Sequence, residues 1–293
     1  MMLYSAQRTL AGTDAVLSWQ ALDGDGDRRD PGTVTVTVTN SAGSTLTTGS
    51  VSGTGTSPRA ATVTGAQLPS PDRLTAVWKV SGVTVATTIV DVVGGYIASL
   101  AQLKERFPGL ADESKWSSAA VIAARNATED EFMSACGVAF APRFSVDVLE
   151  GHGGDCLILD HQELRSVSWA NYRTEGSTTS TAFTAGDIAS IDRSGAGVAE
   201  LTNGSYWPDD STITVGYVHG YEHPPSDIVD AFLVRVNDVL TRQRSSIQAR
   251  ATQTVMDGMT TNLAVPGWGQ NLTGIPDVDV VLKRYDRRIP GIA

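Results

Sequence analysis

The sharpest hydrophobic periodicity is Thr33 to Thr39, TVTVTVT, where valine and threonine alternate with a period of two. Side chains on a strand point to opposite faces in turn, so this stretch predicts a strand with a buried valine face and a wet threonine face. Ala15 to Leu22, Ala60 to Thr64, Leu74 to Val80 and Val83 to Val92 carry similar β-branched patterns between Gly, Pro, Ser and Asp clusters. Ser41 to Ser57 is rich in Gly, Ser and Thr and reads as a loop.

After Gly94-Gly95 the period changes. Ser99 to Phe107 predicts a short helix capped by Ser99 and stopped before Pro108. Lys115 to Gly137 places Val121, Ala124, Thr128, Phe132 and Ala135 at helical spacing, with Gly137 as its stop. Strands return at Ser145 to Glu150, Cys156 to Leu159, Leu164 to Tyr172, Ile188 to Ile191, Val198 to Leu201 and Ile213 to Val218. Pro224-Pro225-Ser226 opens a long amphipathic helix from Asp227 to about Ser246, with Val229, Leu233, Val236 and Leu240 on one stripe. Residues 257 to 276 read as an extended loop, and Asp277 to Tyr285 as a last short helix. The pattern predicts an α+β chain in two domains. Residues 1 to 95 form an all-β, immunoglobulin-like sandwich without a disulfide, and residues 96 to 293 a helical domain with inserted strands.

Charge narrows the partners. The chain has 22 Lys and Arg against 32 Asp and Glu, a net charge of −10. A surface that grips nucleic acid needs clustered cations, so DNA binding is not expected, although DNA could slide past such a surface. The tail runs the other way: LKRYDRRIPGIA holds Lys283, Arg284, Arg287 and Arg288 against Asp286 alone. The absence of an apolar run near eighteen residues argues against a membrane span. The N-terminus lacks a basic start followed by an apolar stretch, so folding in a cytoplasm is expected. Cys136 and Cys156 have no CxxC spacing and are expected to be reduced packing residues.

Candidate chemistry is sparse. Asp23-Gly-Asp-Gly-Asp27 resembles the start of a calcium loop, but Arg28 stands where the sharp-turn glycine belongs and Val34 where the bidentate glutamate should be. A solvated turn is the expectation. No GxSxG elbow or nucleotide-binding loop occurs, and no enzyme activity, cofactor or metal is expected. His219-Gly-Tyr-Glu-His223 puts two histidines four apart, a spacing that meets one metal only on a helix. Gly220 and Pro224 break that helix, leaving a metal-dependent hydrolase as a remote alternative.

The order of elements is more informative. The run ITVGYVHGYEHPPSDIVDAFLVRVNDVL, residues 213 to 240, resembles the signature of head-to-tail adaptor (head–tail connector) proteins of long-tailed phages. Tyr96 to Phe107 resembles that family's opening helix, Ser118 to Phe140 with Arg143 its small-residue helix and aromatic-Ala-Pro-Arg turn, and VDVVLKRYDRR its closing segment. The resemblance covers residues 96 to 293 and makes residues 1 to 95 an added decoration. It implies a structural virion protein: a homo-oligomeric ring, dodecameric in such proteins, bound beneath the portal protein and meeting the next neck or tail-terminator protein. DNA would pass through the lumen without specific binding, and the ring would sit in the virion neck after assembly in the bacterial host cytoplasm. On this reading Lys283, Arg284, Tyr285, Arg287, Arg288 and Ile289 dock onto an acidic portal surface. His219, Tyr221, His223 and Arg235 are turn or subunit-interface residues. A β-sandwich module that binds a surface carbohydrate or capsid protein is the main alternative.

Overall fold

The computed structural model describes residues 7–51, 55–193, 196–242, 253–256, 259–262 and 272–287. The elements run β1 (Gln7–Leu10), β2 (Ala15–Trp19), β3 (Val34–Thr39), β4 (Thr45–Val51), β5 (Arg59–Val63), β6 (Asp72–Val80) and β7 (Val83–Val93). Helices α1 (Leu100–Arg106) and α2 (Ser118–Cys136) follow, then β8 (Arg143–Glu150), β9 (Cys156–Ile158), β10 (Leu164–Thr174) and β11 (Thr181–Ala182). The rest are α3 (Ala185–Ala189), β12 (Ile191–Arg193), β13 (Val198–Leu201), β14 (Ser211–His219), α4 (Ser226–Arg242), β15 (Gln253–Met256), β16 (Met259–Asn262) and α5 (Pro276–Arg284). This is a mixed α+β chain with several sheets.

By internal contacts the chain divides into a β unit, Ala6–Gly95 with Pro142–Gly220, and a helical unit that includes Tyr96–Ala141 and Tyr221–Ala293. Two domains split at residue 95 would group the chain differently, because here residues 142–220 cluster with the N-terminal strands. The joins within the β unit are specific: Gly94 N–H donates to the Pro142 carbonyl at 3.0 Å, the Arg143 guanidinium to the Gly95 carbonyl at 2.8 Å, and Trp169 Nε1–H to Ser41 Oγ at 3.0 Å.

In the first part of the β unit, a five-stranded sheet in the order β1-β7-β6-β3-β4 and the pair β2-β5 enclose one core. The alternation in β3 decides its face. Val34, Val36 and Val38 are buried beside Leu74, Ala76 and Trp78, while Thr35 is exposed and Thr37 and Thr39 are half-buried on the opposite face. The second part holds the sheet β11-β10-β14-β8 and the three strands β12-β13-β9, which share a core of Leu157, Leu201, Trp207, Ile213, Val215 and Tyr217. Gly216 lies against the Trp169 indole so closely that a β-carbon there would overlap the ring.

Two local expectations are corrected. The stretch expected as a loop between Ser41 and Ser57 contains β4, which pairs with β3 and packs Leu46 and Val51 on the core; residues 52–54 lie outside the described ones. Ladder hydrogen bonds and half-buried side chains outweigh its Gly-Ser-Thr composition. The strand expected at Ile188 to Ile191 is the end of α3 followed by β12. Thr184 and Asp187 form a reciprocal cap there, with Asp187 N–H on Thr184 Oγ1 at 3.2 Å and Thr184 N–H on Asp187 Oδ2 at 3.1 Å. In the stretch expected as a loop over 257 to 276, residues 259–262 form β16, paired with β15, and much of the remainder lies outside the described residues.

In the helical unit α2 begins at Ser117, whose Oγ accepts the Ala120 N–H at 3.2 Å, and ends at Gly137 with a left-handed φ of 70°. Its Phe132 meets Phe232 of α4 edge to face at 5.6 Å. The α4 side chains Ile228, Phe232, Val236 and Leu240 are buried with Val278 and Leu282 of α5, so three helices share one core. Residues 243 to 246, expected to extend α4, lie outside the described ones.

Candidate interface and the histidine window

The basic C-terminal segment is built into the helical unit by an aromatic cluster. Phe140 stacks on Tyr221 at 5.8 Å and takes Tyr285 edge-on at 5.6 Å. Tyr285 donates its hydroxyl to Asp227 Oδ1 at 2.8 Å, and burial followed by that bond raises its pKa. Arg287 donates its backbone N–H to the Cys136 carbonyl at 2.9 Å and its guanidinium to the Tyr221 hydroxyl at 2.8 Å. These ties leave Lys283, Arg284 and Arg287 exposed. Arg284 reaches Asp227 at 3.6 Å with 63% of its side chain still exposed, so solvent screens that pair. Arg288 and Ile289, expected to belong to the same surface, lie outside the described residues.

Arg235 is committed internally. Its guanidinium takes both Glu131 oxygens, at 2.9 and 2.8 Å, and Asp238 Oδ2 at 2.7 Å, with 12% of its side chain exposed. The two-pronged pairing ties α4 to α2, and Asp238 also accepts from Arg242 at 2.8 Å. These bonds hold most of the guanidinium's donors within the helical unit.

The HGYEH window falls in two units. His223 is exposed in the turn before α4, and Tyr221 belongs to the aromatic cluster. His219 is a strand residue, the last of β14, and is 1% exposed. Its Nε2 hydrogen-bonds Ser145 Oγ at 3.0 Å, and its ring stacks on His161 at 4.1 Å. Burial, with the charges of His161 and Arg143 second, holds its pKa down at about 3, so the imidazole is neutral at pH 7. His161 Nδ1 lies 2.8 Å from the Tyr217 hydroxyl, which donates to Asp147 Oδ2 at 2.7 Å; Asp160 N–H donates to the same oxygen at 2.8 Å. Because Tyr217 spends its proton on Asp147, His161 Nδ1 is the donor to Tyr217.

Sequence reading missed this network, although β8 carries a signal for it. In RFSVDVLE both valines are exposed, Val146 at 37% and Val148 at 66%, whereas Asp147 is 5% exposed. Ser145 and Asp147 point inward because the polar atoms of His219 and Tyr217 lie diagonally across the β8–β14 ladder.

Two ligand clusters are small. Asp23 Oδ1 accepts the N–H groups of Asp25 at 3.0 Å and Asp27 at 2.9 Å, closing a turn on itself. Asp155, Cys156 and Glu200 bring ligand atoms within 4.8 Å of one another, all exposed. The hydrogen bond to Asp155, then burial, raises the Cys156 thiol pKa. Beside Glu150, Glu175 and Asp210, a cleft of about 460 Å³ opens at the end of the β10–β14 sheet.

No protein-family model matches the chain, and no curated protein matches it either. Solved structures of gene transfer agent particles are similar to it at low scores. A chain in the neck of an empty particle, computed with C6 symmetry, is 15% identical with a TM-score of 0.43, over 67% of this chain and 93% of that one. A chain in the virion of the native particle is 14% identical with a TM-score of 0.40, over 60% and 81%. A chain in the neck of the native particle, computed with C12 symmetry, is 14% identical with a TM-score of 0.37, over 67% and 97%.

Proposed function

We propose that the chain is the subunit of a head-to-tail adaptor ring, seated beneath the portal in the neck of a long-tailed phage and letting DNA pass through its lumen. The observation that carries this reading is residues 213 to 240, the strand, HGY turn, double proline and amphipathic helix of the adaptor signature, here β14, the turn at Gly220 and α4. The acidic balance suits a channel past which DNA slides. Residues 142 to 220 hold four Lys and Arg against eleven Asp and Glu. The exposed Lys283, Arg284 and Arg287 are the residues offered to the portal, and residues 7 to 93, with two sheets about one core, form an immunoglobulin-like decoration.

Light scattering of the purified chain, alone and with portal, tests the reading. A dodecamer-sized ring, or a complex formed on adding portal, is expected; a stable monomer that ignores portal overturns it. Reversing Lys283 and Arg284 to Glu is expected to weaken portal attachment at least about tenfold at low salt and to leave the aromatic anchor folded. Unchanged attachment removes the portal-docking assignment and leaves the ring.

A further inference from the structure

The β unit ends at Gly220. Gly220, the last residue before the helical unit, has a left-handed φ of 99° and donates its N–H to the Glu163 carbonyl at 2.9 Å. Glu163 is itself left-handed, with φ 59°, an unfavourable conformation for a side chain of its size. Beside this turn the His161 and His219 rings stack, centroid to centroid 4.1 Å. His219 Nδ1 is buried and has no hydrogen-bond partner among the described residues.

We propose that the stacked His161–His219 pair is an acid-sensitive latch, which closes the end of β14 against the turn at residues 160–163 and opens when His219 takes up a proton. The chemistry is independent of tautomer. If Nε2 carries the proton toward Ser145, the next proton must go to Nδ1, which has no acceptor. If Nδ1 already carries it, Nε2 must gain one and Ser145 must turn from donor to acceptor, while Nδ1–H still has no partner. Either imidazolium is a buried cation with an unsatisfied N–H.

The titratable and charged groups around it do not relieve it. Arg143 is directly opposite His219 in the β8–β14 register and is also cationic, and His161 is the stacked face. Asp147, the acid on the inward face of β8, is engaged by Tyr217 and the Asp160 N–H. The Asp160 side chain is exposed, and no carboxylate is among the groups that shift His219. Proton uptake is therefore coupled to separating the rings and hydrating His219, which also releases the left-handed Glu163 turn. Burial and the neighbouring His161 and Arg143 hold the closed-state imidazole at about 3, whereas a hydrated histidine titrates near 6.5.

The test is amide hydrogen exchange on the full chain between pH 7 and pH 5, corrected for the intrinsic pH dependence of exchange. The opening constant at Val218, His219 and Gly220 should rise roughly 25-fold over that range, ahead of the β3 and β6 core. His219→Gln, which keeps a hydrogen-bonding group for Ser145 and cannot charge, should flatten the rise. His161→Phe keeps a stacked ring that cannot charge; it should leave the onset near pH 6.5, which the hydrated histidine sets, and make the rise level off at a higher pH when the profile is followed toward pH 3. If His219→Gln does not fold, that earlier levelling decides the matter. A flat profile in the wild type, a rise shared by the whole β unit, or the same rise in both variants overturns the latch.

Discussion

The two units bury polar groups by opposite means. In the helical unit Arg235 is a charge held by two charges, Glu131 and Asp238, and its cost of desolvation is offset by three short bonds. In the β unit His219 is a neutral ring whose neighbours His161, Tyr217 and Asp147 form a proton-ordered chain ending on one carboxylate. An ion cluster tolerates pH change until a carboxylate protonates. A neutral buried base weakens as soon as its unfolded form can take a proton.

The largest expected effect breaks the ion cluster. Arg235→Ala leaves Glu131 and Asp238 partly buried without their shared cation, and chemical unfolding should show a loss of about 3 kcal/mol in the helical unit. A loss below about 1 kcal/mol would mean that solvent already screens the pair. Acid sharpens the other side. The folded pKa of His219 lies below its unfolded value, so its contribution is intact above pH 6.5, declines as pH falls, and levels off below about 3. Between pH 7 and pH 5 the β unit should lose about 2 kcal/mol. In His219→Gln most of that slope should vanish from pH-dependent denaturation curves.

A smaller change separates hydrogen bonding from charge. Tyr217→Phe removes the hydroxyl between His161 Nδ1 and Asp147 Oδ2, and urea titration should register about 1 to 2 kcal/mol. Smallest is Tyr285→Phe, which loses one partly exposed bond to Asp227 and should cost at most about 1 kcal/mol. A larger loss would show that the C-terminal anchor is a keystone of the helical unit rather than a clasp on it.

Sequence periodicity determined the elements whose burial follows their own pattern. The valines of β3, the stripe of α4 and the caps of α1 and α2 depend on side-chain spacing and on groups a few residues away. The strand-to-helix corner at residues 219 to 226 was legible for the same reason, because Gly220 and the prolines act locally. The fate of its two histidines was not. His219 is buried because Ser145, 74 residues earlier, and His161 on another turn face it. Arg235 is consumed by Glu131, 104 residues away. β8 presents its valines outward because the partners of Ser145 and Asp147 lie across the ladder. A one-dimensional pattern records what a residue prefers, whereas the three-dimensional fold supplies the hydrogen-bond partners that let a polar group be buried against that preference.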